Sequence, residues 1–156
     1  MCFVVTRSQP TMNIHPLTIT VAAPRDTVFN FLADIENLPK WTAGWCERLM
    51  LQRGRWWALT AEGEQVVDME TSAGTGVIDL RAGPSPDRFR LIPIRVVALS
   101  ARRTLVSFIL IEAADEPDDA FARRRERLQR AADALLKRFG GGELHSAPPL
   151  AELGLN

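Results

Sequence analysis

Arg95 is the polar side chain in this sequence with the most chemistry to offer. In the run Phe89–Leu99 it shares strand parity with Phe89, Leu91, Pro93, Val97 and Leu99, an otherwise apolar set. A lone guanidinium turned inward costs on the order of several kcal/mol unless an anion meets it. Asp79 and Asp68, on neighbouring expected strands, are the carboxylates nominated to do so; a ligand carboxylate, enolate or phenolate is the other candidate. In that arrangement Arg95 would stabilise an enolate while Asp68 or Asp79 moved the proton. The bland reading stands beside it. Asp68 with Glu70, and Asp79 with Arg81, also describe the solvated side of a sheet carrying cross-strand ion pairs. Arg95, close to a bulge at Pro93, would then face solvent.

Trp41, Trp45, Trp56 and Trp57 are the other conspicuous side chains. Trp56 and Trp57 are consecutive on a strand, so they point to opposite faces. Either all four are packing anchors, or Trp41 and one of the pair, with Trp57 favoured, line a cavity mouth and stack on a planar ligand. Other chemistries lack their residues. His15 and His145 fall outside the expected domain, and neither Cys2 nor Cys46 pairs with a histidine at metal-ligand spacing. No phosphate-binding glycine loop, dinucleotide fingerprint or nucleophile elbow occurs. The expectation is therefore no metal and no cofactor.

These residues need elements to position them. Leu17, Ile19 and Val21 alternate with polar or small neighbours, the period of a half-buried strand. Pro24 suits a first helical position, Val28, Phe29, Leu32 and Ile35 recur at helical spacing, and Pro39 ends that segment before Trp41. Six strands are expected at about Cys46–Gln52, Arg55–Ala61, Gln65–Thr71, Gly76–Ala82, Arg88–Leu99 and Leu105–Glu112, with antiparallel neighbours because the dividers are short. Pro93 marks its strand as an edge or bulged strand. Acids around Pro117 open a last helix, striped by Phe121, Leu128, Ala132, Leu135 and Phe139 and stopped by Gly140–Gly142. Glu126–Arg130 and Asp133–Lys137 are expected ion pairs on its far face. Arg125 and Arg124 flank the stripe, within about 40° and 60° of Phe121, so either reaches a pocket or snorkels to solvent.

Length and composition bound the rest. A chain of 156 residues fits one domain with a genuine core. Nineteen Lys+Arg balance nineteen Asp+Glu, which argues against nucleic acid as a partner. Two cysteines make no disulfide framework and point to a reducing, cytoplasmic address; no apolar run approaches a membrane span. Residues 1–16 read as a mobile extension, with Met12 a candidate alternative start, 17–140 as the domain, and 141–156 as a loose tail. The oligomeric state is open, a homodimer included.

The order strand, two short helices, six strands, long helix, with VAAPRDTVFNFLADIENLPKW at the front, resembles the START-like helix-grip superfamily. Within it the chain looks most like bacterial polyketide cyclase/dehydrase-type (SRPBCC) proteins. Arg55–Thr60, Gly76–Asp79, Arg95–Val97 and the acidic approach to Phe121 carry the likeness further, over about Leu17–Gly140. The resemblance implies an α+β fold: a seven-stranded antiparallel sheet wrapped around a long C-terminal helix, with an apolar cavity between them. It implies a small hydrophobic ligand (aromatic, polyketide- or lipid-like), with Trp41, Trp57, Arg95, Phe108, Leu128 and Leu135 as lining. Members of the superfamily bind lipids, sterols or polyketides; some cyclise or dehydrate, and others act as interaction modules. Cyclase/dehydratase chemistry through Arg95 and a strand aspartate, and a protein-docking role, are thus the alternatives. Here the turn between the second and third strands holds only Gly54, so the phosphate-cradling loop of plant members is not expected.

Overall fold

Strand β1, Ile14–Val21, turns Leu17, Ile19 and Val21 into the core, as the alternation requires. The computed structural model describes residues 12–42 and 44–146, the last four by backbone alone. β1 begins within the segment expected to be a mobile extension, because every residue from Ile14 to Val21 has a partner on the strand Arg103–Ile111. Asn13 anchors that start: its backbone N–H and its Nδ2 both donate to Glu112 Oε2, at 3.1 and 2.6 Å. Residues 1–11 lie outside the described residues.

Helix α1, Arg25–Leu32, buries Val28, Phe29 and Leu32, with Pro24 one position earlier than expected, as its N-cap. A single 3₁₀ turn, Ile35–Asn37, is capped by the Asp34 carboxylate, which accepts from Glu36 N–H at 3.0 Å. Pro39 does not end the segment but sits in the first turn of α2, Leu38–Trp41, where a missing N–H has no helical partner to lose. Six strands follow: β2 Arg48–Gln52, β3 Arg55–Thr60, β4 Gly63–Ser72, β5 Val77–Gly83, β6 Arg90–Ser100 and β7 Arg103–Ile111. The β2–β3 turn is two residues, Arg53 at φ 51° and Gly54 at φ 75°, the paired positive values of a type I′ hairpin.

β2 to β7 form a consecutive antiparallel meander, and β1 closes onto β7, so the first and second strands are far apart in the sheet. α1 and α2 carry the chain across that gap. Helix α3, Asp118–Phe139, runs 22 residues, about 33 Å, and packs on β1 and α2 with Phe121, Leu128, Ala131, Ala132 and Leu135 buried. Asp118 and Asp119 at its start and Lys137 and Arg138 at its end complement the helix dipole. The expected pairs Glu126–Arg130 and Asp133–Lys137 are not among the ion pairs of the described residues. Instead Asp119 holds Arg123 at 2.7 Å, and Asp133 accepts from Gln129.

The sheet has an eighth strand. β8, Glu143–Ser146, pairs antiparallel with Thr20–Leu17 of β1, where a loose tail was expected. The reversal from α3 uses Gly140 and Gly141 at positive φ, and Gly142 passes so near β1 that a Cβ there would overlap the Thr20 carbonyl oxygen. Residues 147–156 lie outside the described residues.

Cys46, buried ahead of β2, illustrates how dry this interior is. Burial pushes its thiol up to about 11, and Sγ donates weakly to the Arg48 carbonyl at 3.6 Å. Folding then favours the protonated thiol, so stability is complete below the unfolded pKa and declines as pH rises towards the folded value. With no tyrosine in the chain, few groups besides two lysines confuse that window. In a Cys2→Ser background, urea unfolding at pH 10.5 is expected to show about 2 kcal/mol less stability than at pH 8. Adding Cys46→Ala should remove most of that slope; an unchanged slope would contradict a desolvated thiol.

Candidate ligand-binding site

Over much of its length the inner face of the sheet is covered by the buried core, in which Ile78, Ile94, Val106 and Phe108 cluster with Leu32, Ala132 and Leu135. Towards the first half of α3 the packing leaves a cavity of about 130 Å³. Its apolar walls are Trp41 and Trp45 on one side, Leu80, Ile92 and Phe108 of the sheet on the other, and Leu128 and Ala131 of α3 above. The Trp41 and Phe108 rings lie 6.1 Å apart, tilted by 40°.

Pro93 lies in β6, the strand that contributes Ile92 to the cavity wall. It pairs with Asp79 on β5, but the ladder between β6 and β7 begins only at Ile94–Phe108. β6 is an interior strand, yet around Pro93 it has a neighbour on one side only, where a proline without an N–H is tolerated. The single irregularity recorded between β6 and β7 lies at Ala98–Ser100, not at Pro93. Arg90, beyond the end of that ladder, reaches across to the segment before α3.

One border of the cavity is polar. Glu116, its side chain fully shielded from solvent, accepts from Ala113 N–H, from Arg90 Nη1 at 3.2 Å and from Arg124 Nη1 at 2.9 Å. Arg124 is 13% exposed, and Nη1 also donates to the Ile111 carbonyl at 3.2 Å. Burial lowers its pKa; Glu116 opposes that shift, while Arg90 and Arg127 add to it by like-charge repulsion. Arg127 in turn donates to Glu62 at 2.8 Å, and that hydrogen bond, against partial burial, holds the Glu62 carboxyl below its usual range. Two buried donors, Trp41 Nε1 and Arg124 Nη2, have no hydrogen-bond partner among the described residues.

Of the residues expected to line a cavity, Trp41, Phe108 and Leu128 do border it. Leu135 is in the apolar core and does not border the cavity. Arg95, Asp79 and Asp68 are elsewhere. Ile92, Ile94 and Val96 take the inward positions of β6, which turns Arg95 to the outer face, where Nη1 pairs with Asp79 at 2.9 Å. Arg81 bridges Asp68 and Glu70 there, at 3.4 and 3.0 Å, a solvated ladder of charges. Trp57 is likewise outward; Trp56 is the inward member of the pair and packs on the core. Sequence reasoning missed Glu116, Arg90, Arg127 and Trp45 and left Arg124 ambiguous. Among the described side chains no histidine lines the site: His15 lies in β1, its pKa lowered by burial and then by Arg125. Among the described residues no three His, Cys, Asp or Glu side chains are grouped to hold a metal ion, and no helix is long and apolar enough to cross a membrane.

No protein-family model and no curated protein sequence matches the chain. Solved structures do. The protein XoxI from Bacillus cereus superposes with a TM-score of 0.65 at 14% identity, over 83% of this chain and 95% of that one. A START superfamily protein from Mycobacterium smegmatis gives 0.60 at 18% identity, over 80% and 97%. The Zhui aromatase/cyclase from a Streptomyces species gives 0.58 at 22% identity, over 81% and 90%. At such identities the likeness speaks for architecture alone. The chain has the START-like helix-grip fold, in a form it shares with aromatase/cyclase structures.

Proposed function

We propose that this chain binds a small, ring-containing apolar molecule in the cavity between the sheet and the first half of α3. The observation that carries this reading is local. Beside Trp41, Trp45 and Phe108 about 130 Å³ stays open between sheet and helix, walled largely by apolar side chains. A cavity of similar size, about 150 Å³, is enough to take up benzene. The fold common to these structures supports it, since helix-grip proteins include aromatase/cyclases. The cyclase/dehydratase alternative through Arg95 and a strand aspartate lacks its participants, because all three residues face outward. The balanced charge and the buried free thiol of Cys46 suit a cytoplasmic small-molecule binder with no nucleic-acid partner.

Thermal-shift and calorimetric titration with single-ring compounds, polycyclic compounds and long-chain fatty acids tests the reading. Single-ring compounds are expected to stabilise the protein, and Ala131→Phe, which fills the cavity from α3, should reduce their binding at least about tenfold. Equal binding to the filled variant, or no stabilisation by any class, would contradict it.

A further inference from the structure

We propose that the ligand of this cavity is a single-ring monocarboxylate, with its ring against the contacting pair Trp41 and Phe108 and its carboxylate taken by the guanidinium of Arg124. The inference rests on the binding role just proposed and adds the ligand's charge and size.

Arg90, Arg124 and Arg127 border the cavity, and the carboxylates that meet them are Glu62 and Glu116. Three guanidiniums against two carboxylates leave one positive charge in excess. Arg123 does not alter the sum, since Asp119 pairs with it. A partly enclosed cluster with one surplus cation is completed by one anion, and a dianion would overshoot.

Among the described residues two buried atoms lack partners, Arg124 Nη2 and Trp41 Nε1; both are donors on side chains that border the cavity, and each is covered by neighbouring atoms until its side chain turns towards a ligand. Arg124 Nη1 spends its hydrogens on Glu116 and the Ile111 carbonyl, so the fork is half used. An ionised carboxylate is acceptor-only, with two oxygens suited to a guanidinium fork or to one guanidinium and one indole. A neutral alcohol or amine would bring a donor to a place already rich in donors.

About 130 Å³ is close to the roughly 150 Å³ that takes up benzene, so it suits one six-membered ring, with the acidic group at the cavity's polar border beside Arg124. The tilted pair Trp41 and Phe108, with Leu128 and Ala131 above, offers flat apolar walls to such a ring.

Isothermal titration with benzoate, benzamide and benzyl alcohol, at pH 7 and low salt, separates charge from shape. Benzoate is expected to bind about tenfold more tightly than benzamide, the margin of a hydrogen-bonded ion pair over a guanidinium hydrogen bond to a neutral acceptor. Arg124→Gln should remove that margin. Because it leaves Glu116 short of a partner and threatens folding, the double variant Glu116→Gln/Arg124→Gln, a neutral pair of similar shape, is measured beside it. The double variant should keep benzamide within about threefold of its original affinity and lose the benzoate preference. Equal affinity of benzoate and benzamide for the unchanged protein would overturn the inference, as would a benzoate preference surviving in the folded double variant. If the neutral rings bind and Ala131→Phe abolishes them, the binding role stands without the carboxylate. If no ring compound binds at all, both fall.

Discussion

Glu116→Ala is expected to destabilise the protein by about 3–5 kcal/mol, the characteristic cost of breaking a buried ion pair from one side. Glu116 is fully shielded, and its two oxygens serve Arg90, Arg124 and the Ala113 N–H together. Removing it leaves Arg124 buried next to two further guanidiniums with no carboxylate of its own. The same change unties the segment leading into α3, whose turn at Ala113–Glu116 depends on that side chain. For a domain of this length the loss corresponds to about 6–20 °C in melting temperature. Glu116→Gln keeps the acceptor and should cost less. Urea unfolding of both variants reads the difference, and a loss below about 1 kcal/mol for Glu116→Ala would mean that water reaches Arg124 freely.

Phe108→Ala carries the second large effect, about 3–5 kcal/mol. Phe108 has no exposed surface, stands at the centre of β7 opposite Leu17 and Ile94, and touches both the filled core and the cavity. Truncation removes its burial and adds its volume to the space beside Trp41. The stability loss and the binding change should therefore go together in a particular way. Single-ring ligands are expected to bind more weakly for want of a wall, while a fused two-ring ligand gains relative to them. Parallel weakening of both ligands would indicate collapse of the site, not its enlargement.

Much of the architecture was legible in the sequence, and the reasons are local. Period-two alternation in Leu17–Val21, the stripe from Phe121 to Phe139 and the Arg53-Gly54 turn each carry their own instruction, and each element formed within a few residues of its expected bounds. Strand β8 was not legible, because four residues after three glycines carry no periodicity; what holds them is the exposed edge of β1.

The side chains of the site were harder for a different reason. In Phe89–Leu99 both parities are largely apolar, so the pattern does not say which set turns inward, and an error of one residue moves Arg95 from the cavity to the outer face. The Trp56 and Trp57 pair poses the same problem and was resolved the wrong way. A usable signal did exist in Asp68, Glu70, Asp79 and Arg81: a row of charges on adjacent strands is the mark of a solvated face, and Arg95 belongs to that row. Glu116 read as one more acid near a helix start. Its meaning depends on Arg90, 26 positions away, and on Arg124 two turns into α3, which only the folded chain brings together.

The four tryptophans allow a direct test of whether the hollow beneath α3 receives a ligand. In a nitrogen–proton correlation spectrum each indole N–H gives its own signal, and Trp57, on the outer face of the sheet, serves as an internal control. Titration with benzoate is expected to shift the Trp41 and Trp45 indole signals along saturable curves while Trp57 stays in place. Saturable movement of Trp57 with Trp41 unmoved, or no movement at any indole with benzoate, benzamide and benzyl alcohol alike, would contradict a ligand site between sheet and helix.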